Sequence, residues 1–148
     1  MTGLTTQDFW AVAPEIYVTT LACLILVVDL YIRSSRACAV AYPLTIATLV
    51  SAGLLCLDGL FEPSQTVLNG LVVRDSVAAI LKSGTCFGTA GVLFYARDYA
   101  EERGLWRGEY LVLSLFGVVG MMAMIGAAHL LTLYVGIELL ALCLYGMI

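Results

Sequence analysis

The chain has 148 residues, of which 61% are hydrophobic and 12% charged, with a net charge of -4 and a mean hydropathy of +0.98. Soluble domains run at about 45–50% apolar and about 25% charged residues, so this composition excludes an ordinary water-soluble fold. The basic residues form no stripe, which also excludes a nucleic-acid-binding surface.

Residues 1–13 contain neither Lys nor Arg. A secretory signal peptide needs a basic n-region, so the first apolar stretch is predicted to be a retained span. Five such stretches follow one another, at 13–32, 39–57, 76–96, 110–128 and 130–148. Each is close to the roughly 20 residues that cross a hydrocarbon core. Transmembrane β-strands would be about half as long and would alternate polar with apolar residues. The fold class predicted is therefore all-α: a polytopic bundle of about five transmembrane helices, residues 1–148 forming one transmembrane domain. Pro14 and Pro43 are read as helix starts, in first turns where a missing N–H costs nothing.

Between the second and third stretches, residues 61–75 carry Leu68-Asn69-Gly70-Leu71 between short apolar runs, which predicts a hairpin turn. The connection 97–109 mixes four acids with three arginines. Positive residues stay on the cytoplasmic side, and the counts are uneven. Arg33, Arg36, Arg97, Arg103 and Arg107 lie on one side and Arg74 on the other, which places the N terminus outside. The chain stops on Met147-Ile148 straight after an apolar run, as expected of a fragment or a truncated gene product.

Cys23, Cys38, Cys56, Cys86 and Cys143 show no CxxC spacing and read as small apolar fillers. No GxGxxG, P-loop or metal-ligand spacing occurs, so no cofactor or metal is expected on this chain. The Gly84/Gly88 and Gly117/Gly120 pairs and the cluster of Met121, Met122 and Met124 fit close helix packing.

Glu138 is the residue that packing does not explain. It is ninth in the segment that begins at Leu130, about 12 Å along a helix and near the bilayer midplane. An ionised carboxylate there costs on the order of 3 kcal/mol even on a lenient insertion scale, and such groups usually face protein or a wet cavity. A proton-relay or ion-pathway carboxylate is the functional reading, and an interhelical hydrogen bond the structural one. Tyr134 and Leu142 share its face, with Tyr145 one turn further. Lys82 lies two turns from the outer end of the third stretch, where its ammonium can snorkel to the interface or reach Asp75. Asp29 precedes Arg33 by four residues and suits an interfacial ion pair. His129 opens the fifth stretch, as a proton entry or exit point or as a solvated cap.

The run HLLTLYVGIELLALCLYGM (129–147), preceded by GEYLVLSLFGVVGMMAMIGAA (108–128) and YARDYAEERGLWR (95–107), resembles the N-terminal part of the subunit N family of bacterial respiratory NADH:quinone oxidoreductase, complex I. The Gly136-Ile137-Glu138-Leu139 core sets it apart from sister antiporter-like subunits, which tend to place Trp before this glutamate. Residues 1–75 match in hydropathy and in the Pro14-Glu15 start. The resemblance implies that Glu138 belongs to a chain of buried carboxylates, lysines and histidines that moves protons, its partner lysine coming from a later span absent here. It implies a bacterial inner-membrane location, other membrane subunits as partners, and NADH, flavin, iron–sulfur clusters and quinone bound by other subunits. A subunit of a multisubunit cation/proton antiporter and a non-conducting assembly module are the alternatives.

The topology is tested by thiol labelling in a cysteine-free background. A membrane-impermeant reagent applied from outside is expected to modify Gln65→Cys and spare Ser35→Cys; the reverse pattern inverts the orientation.

Overall fold

A computed structural model describes residues 10, 12–32, 37–61, 65–68, 70–103 and 107–148. Five helices carry the chain back and forth: α1 (Ala13–Ile32), α2 (Ala37–Leu57), α3 (Ser76–Glu102), α4 (Gly108–Ile125) and α5 (Leu130–Met147). All five are long and apolar enough to cross a membrane. The predicted transmembrane helix bundle is thus the observed architecture. Lipid supplies no hydrogen bonds, and a helix satisfies its own backbone, so sequence this apolar has little alternative.

The fourth span, read as 110–128, is observed at Gly108–Ile125, and two further boundaries differ from the sequence reading for a physical reason. α2 begins at Ala37, so Pro43 lies inside the helix instead of at its start. The apolar stretch is read from Ala39, but Ala37 and Cys38 already belong to the helix. Pro43 has no N–H to offer the carbonyl of Ala39, so α2 carries a built-in break in its ladder one turn in. α3 runs on to Glu102, at 27 residues about 40 Å long and so longer than the hydrocarbon core. Its last turns leave the apolar zone while remaining helical, and Arg97 there lies over the Tyr42 ring of α2 at 5.0 Å.

α4 is the hub. It packs against α1, α2, α3 and, most extensively, α5. The core of fully enclosed side chains, among them Ile25, Leu49, Leu93, Leu111, Leu115 and Met122, is built by α1 to α4 alone. α5 leans on the outside of α4 and buries only Gly136 and Cys143. Its hold comes from glycine. A Cβ placed on Gly120 would sit 3.0 Å from the Gly136 carbonyl oxygen, and a Cβ on Gly136 would sit 3.0 Å from that of Gly120. The two backbones approach there as closely as helices can, the way small residues drive association without a hydrophobic force.

The Gly84/Gly88 stripe does not pack as expected. A Cβ on either residue would meet nothing within 4 Å. The face of α3 turned inward carries Ala78, Ala79, Lys82, Ser83, Cys86, Ala90 and Leu93, at the i, i+3 and i+4 spacing of one helical stripe, and the two glycines lie off it.

The predicted hairpin is present as β1 (Gln65–Val67) and β2 (Val72–Arg74), antiparallel, with Val67 opposite Val72. A short 3-10 turn, Asp58–Phe61, leads into it from α2. Leu68 (φ 54) and Gly70 (φ 83) give the connection its left-handed backbone. The outer edge of β2 then pairs with the link between α4 and α5: Val73 N–H donates to the Gly126 carbonyl at 2.8 Å, and Ala128 N–H to that of Leu71 at 3.0 Å. No edge is left open on that side.

Gly136→Leu is expected to destabilise the protein by about 1–3 kcal/mol through overpacking against a backbone that cannot retreat, whereas Gly88→Leu is expected to have little effect on the isolated bundle. Thermal unfolding in detergent checks the contrast; equal effects would remove the special role of the Gly120–Gly136 contact.

Candidate functional site

Glu15, in the first turn of α1, and Glu138, in the middle of α5, are treated oppositely by the fold. Glu138 occupies the ninth position of the 18-residue helix α5, its axial midpoint. Its side chain is on the exposed face, away from α4. Tyr134, Leu142 and Tyr145 share that exposure, as the spacing predicted. Among the described residues Glu138 makes no hydrogen bond and no ion pair. Glu138 thus stands on a face of α5 that the other four helices leave uncovered.

His129 stands outside the apolar zone as the N-cap of α5. Its Nδ1 accepts from the Leu131 N–H at 3.2 Å, satisfying a backbone donor that the helix itself leaves free. The side chain is exposed.

Lys82 is enclosed. It is only 6% exposed and its Nζ donates to Glu15 Oε1 at 2.5 Å. Glu15, in the first turn of α1, is itself 9% exposed. The ammonium neither snorkels to the interface nor reaches Asp75, as its position near the helix end had suggested. Asp75 is used instead as the N-cap of α3, accepting from the Ser76 N–H at 2.8 Å. Burial forces the outcome: an ammonium this far from solvent needs an adjacent anion, and α1 presents one. Arg33 lies outside the described residues, and with it the expected pairing to Asp29.

NADH-quinone oxidoreductase subunit N of Alkalilimnicola ehrlichii is 45% identical over 145 residues, covering 95% of this chain and 29% of its own length. The subunit N proteins of Thioalkalivibrio sulfidiphilus and Thiobacillus denitrificans are 41% and 40% identical, covering 95% and 98% of the chain and 29% and 30% of their own lengths. The chain is homologous to a segment of NADH-quinone oxidoreductase subunit N. It spans about 29% of the length of these curated relatives. No protein-family model matches it.

The three residues singled out from sequence do not form one cluster. Lys82 is locked to α1 beneath the hairpin, His129 caps α5, and Glu138 faces outward from the far side of α4. The residue that sequence reasoning missed is Glu15. It reads as an ordinary acid in a first helical turn, where negative charge is favourable in any case. The available signal was Lys82 itself, since a lysine inside a span demands a carboxylate from a span entering at the same side.

Breaking this pair from one side strands a buried charge. Lys82→Met is expected to cost about 3–5 kcal/mol, and Glu15→Gln a similar amount, while the double variant Glu15→Gln/Lys82→Met recovers most of the loss. Unfolding of the three variants measures the coupling, and additive losses would show that the two groups do not interact.

Proposed function

We propose that this chain is part of a proton-translocating membrane subunit of an NADH:quinone oxidoreductase, with Glu138 in the proton path. The observation that carries this reading is a carboxylate at the midpoint of a span, on a helix face that the other four helices leave uncovered. The relatives are more than three times as long as the homologous segment, and their further length is available to cover such a face. In that setting the carboxylate sits between helices, beside groups that can stabilise or release its charge. A relay needs a site of this kind, because small changes in pairing then move its proton affinity. Tyr134 and Tyr145, on the same face, are hydroxyl-bearing neighbours able to orient water along it.

In this reading the N terminus and the hairpin face outward and the arginine-bearing connections face the cytoplasm of a bacterial cell. The partners are other membrane subunits. NADH, flavin, iron–sulfur clusters and quinone are bound elsewhere in the complex, which supplies the redox energy. The antiporter alternative shares the same helices, but the relatives compared above all carry the oxidoreductase subunit name.

Glutamine keeps the shape of Glu138 but cannot titrate; aspartate keeps the acid and shortens its reach by one methylene. In the assembled complex, Glu138→Gln is expected to reduce proton uptake into vesicles to a small fraction of the parent value, and Glu138→Asp to retain much of it. Uptake is normalised to assembled complex. Parental pumping by a fully assembled Glu138→Gln variant would make the residue structural.

A further inference from the structure

The Glu15–Lys82 pair has features that a purely structural ion pair does not need. Glu15 uses one oxygen. The other, Oε2, is sealed from solvent and has no hydrogen-bond partner. An ionised carboxylate with a bare buried oxygen is costly, whereas a protonated one carries its proton there. Lys82 is similarly half used: an ammonium has three N–H donors, and the described residues supply one acceptor, Glu15 Oε1. The same lysine also lines a cleft of about 50 Å³, together with Pro14, Cys56, Arg74, Asp75 and Ala79. A water needs roughly 10–15 Å³ of such space, so the cleft has room for a few, and it is walled by the charged groups that hold water in place.

We propose that Glu15 and Lys82 form a proton-exchange site, distinct from Glu138, that is fed by water in this cleft. Lys82 is the group that touches both sides. Its ammonium passes a proton to Glu15: an N–H bond breaks, an O–H bond forms at the carboxylate, and both partners become neutral. The free amine then takes a proton from a hydronium in the cleft, leaving water and restoring the ammonium. The net change is one proton moved from the hairpin side of the membrane onto Glu15, and release runs the same steps backward. The other ionisable groups facing the pair are Arg74 from β2, Asp75 from the cap of α3, Cys56 from α2 and Cys86 from α3. From the α4–α5 link the pair meets Gly126: a Cβ there would lie 3.0 Å from Lys82 Nζ. This places the site directly beneath the hairpin seam.

The lysine-to-arginine exchange separates this role from simple pairing. Arginine preserves the charge and the ion pair, but in proteins it does not give up its proton. The experiment is time-resolved infrared spectroscopy of carboxyl protonation after acidification of the hairpin side. It uses native membranes carrying the full-length protein in a Glu138→Gln background, so that Glu138 contributes nothing. A carboxyl band that disappears in Glu15→Gln is expected, and its appearance is expected to slow by about tenfold or more in Lys82→Arg. The proposal is overturned if no band depends on Glu15, or if Lys82→Arg protonates it at the parental rate. A second measurement needs no substitution. Hydroxyl-radical labelling reports bound water beside a side chain, and Cys56, on the cleft wall, is expected to react several times faster than Cys86, which is fully buried and does not line the cleft. Equal labelling would show a dry cleft and would overturn the proposal as well. Neither measurement depends on whether Glu138 is a relay.

Discussion

Backbone hydrogen bonding without water is the constraint on which everything else in this structure rests. Inside lipid each N–H and C=O must find a partner in the protein, so the apolar sequence resolves into helices. The same demand shapes the extended segment found among the described residues. β1 and β2 pair with each other, and β2 then pairs with the α4–α5 link, so both faces of its backbone are used. That seam closes one end of the bundle and lays its backbone over the Lys82 side chain. At the opposite end, side chains do the joining, Arg97 lying over Tyr42 to tie α3 to α2.

Placement of charge follows from the same absence of water. Glu15 and Lys82 come from helices that enter at the same end, and their mutual attraction offsets the cost of taking both out of solvent. Glu138 has no such partner among the described residues. One carboxylate is paired within the bundle through one of its oxygens and the other is offered to whatever packs beside it. The difference arises from geometry: α1 and α3 both contribute side chains to the shared core, while α5 contributes none and packs mainly on α4.

The spans, the hairpin and the midpoint position of Glu138 were all legible in the sequence, because hydropathy, turn chemistry and helical rise are local properties. What could not be read depends on which face of each helix turns inward. Gly84 and Gly88 have the spacing of a packing stripe, yet α3 is rotated so that the Ala78, Lys82 and Cys86 stripe faces the core. Gly120 and Gly136 lie on different helices, and no spacing within either helix announces their contact. Lys82 was visible as an anomaly, but its partner on α1 is far away in sequence. Pro43 shows a smaller failure of the same kind, since where α2 begins depends on residues too weakly apolar to register as a span.

The strand pairing between Val72 and Ala127 sets an order of events in assembly. During synthesis the hairpin emerges after the second helix, but the backbone that completes it emerges only after two more helices have been made. Until then β2 presents an open edge at the membrane surface, of the kind that invites wrong partners. Closure of the seam is therefore a late step that becomes possible only once α4 has docked in the centre and delivered the link beyond it. The seam thus acts as a latch on a finished bundle, and a chain with α4 misplaced has no means of fastening it.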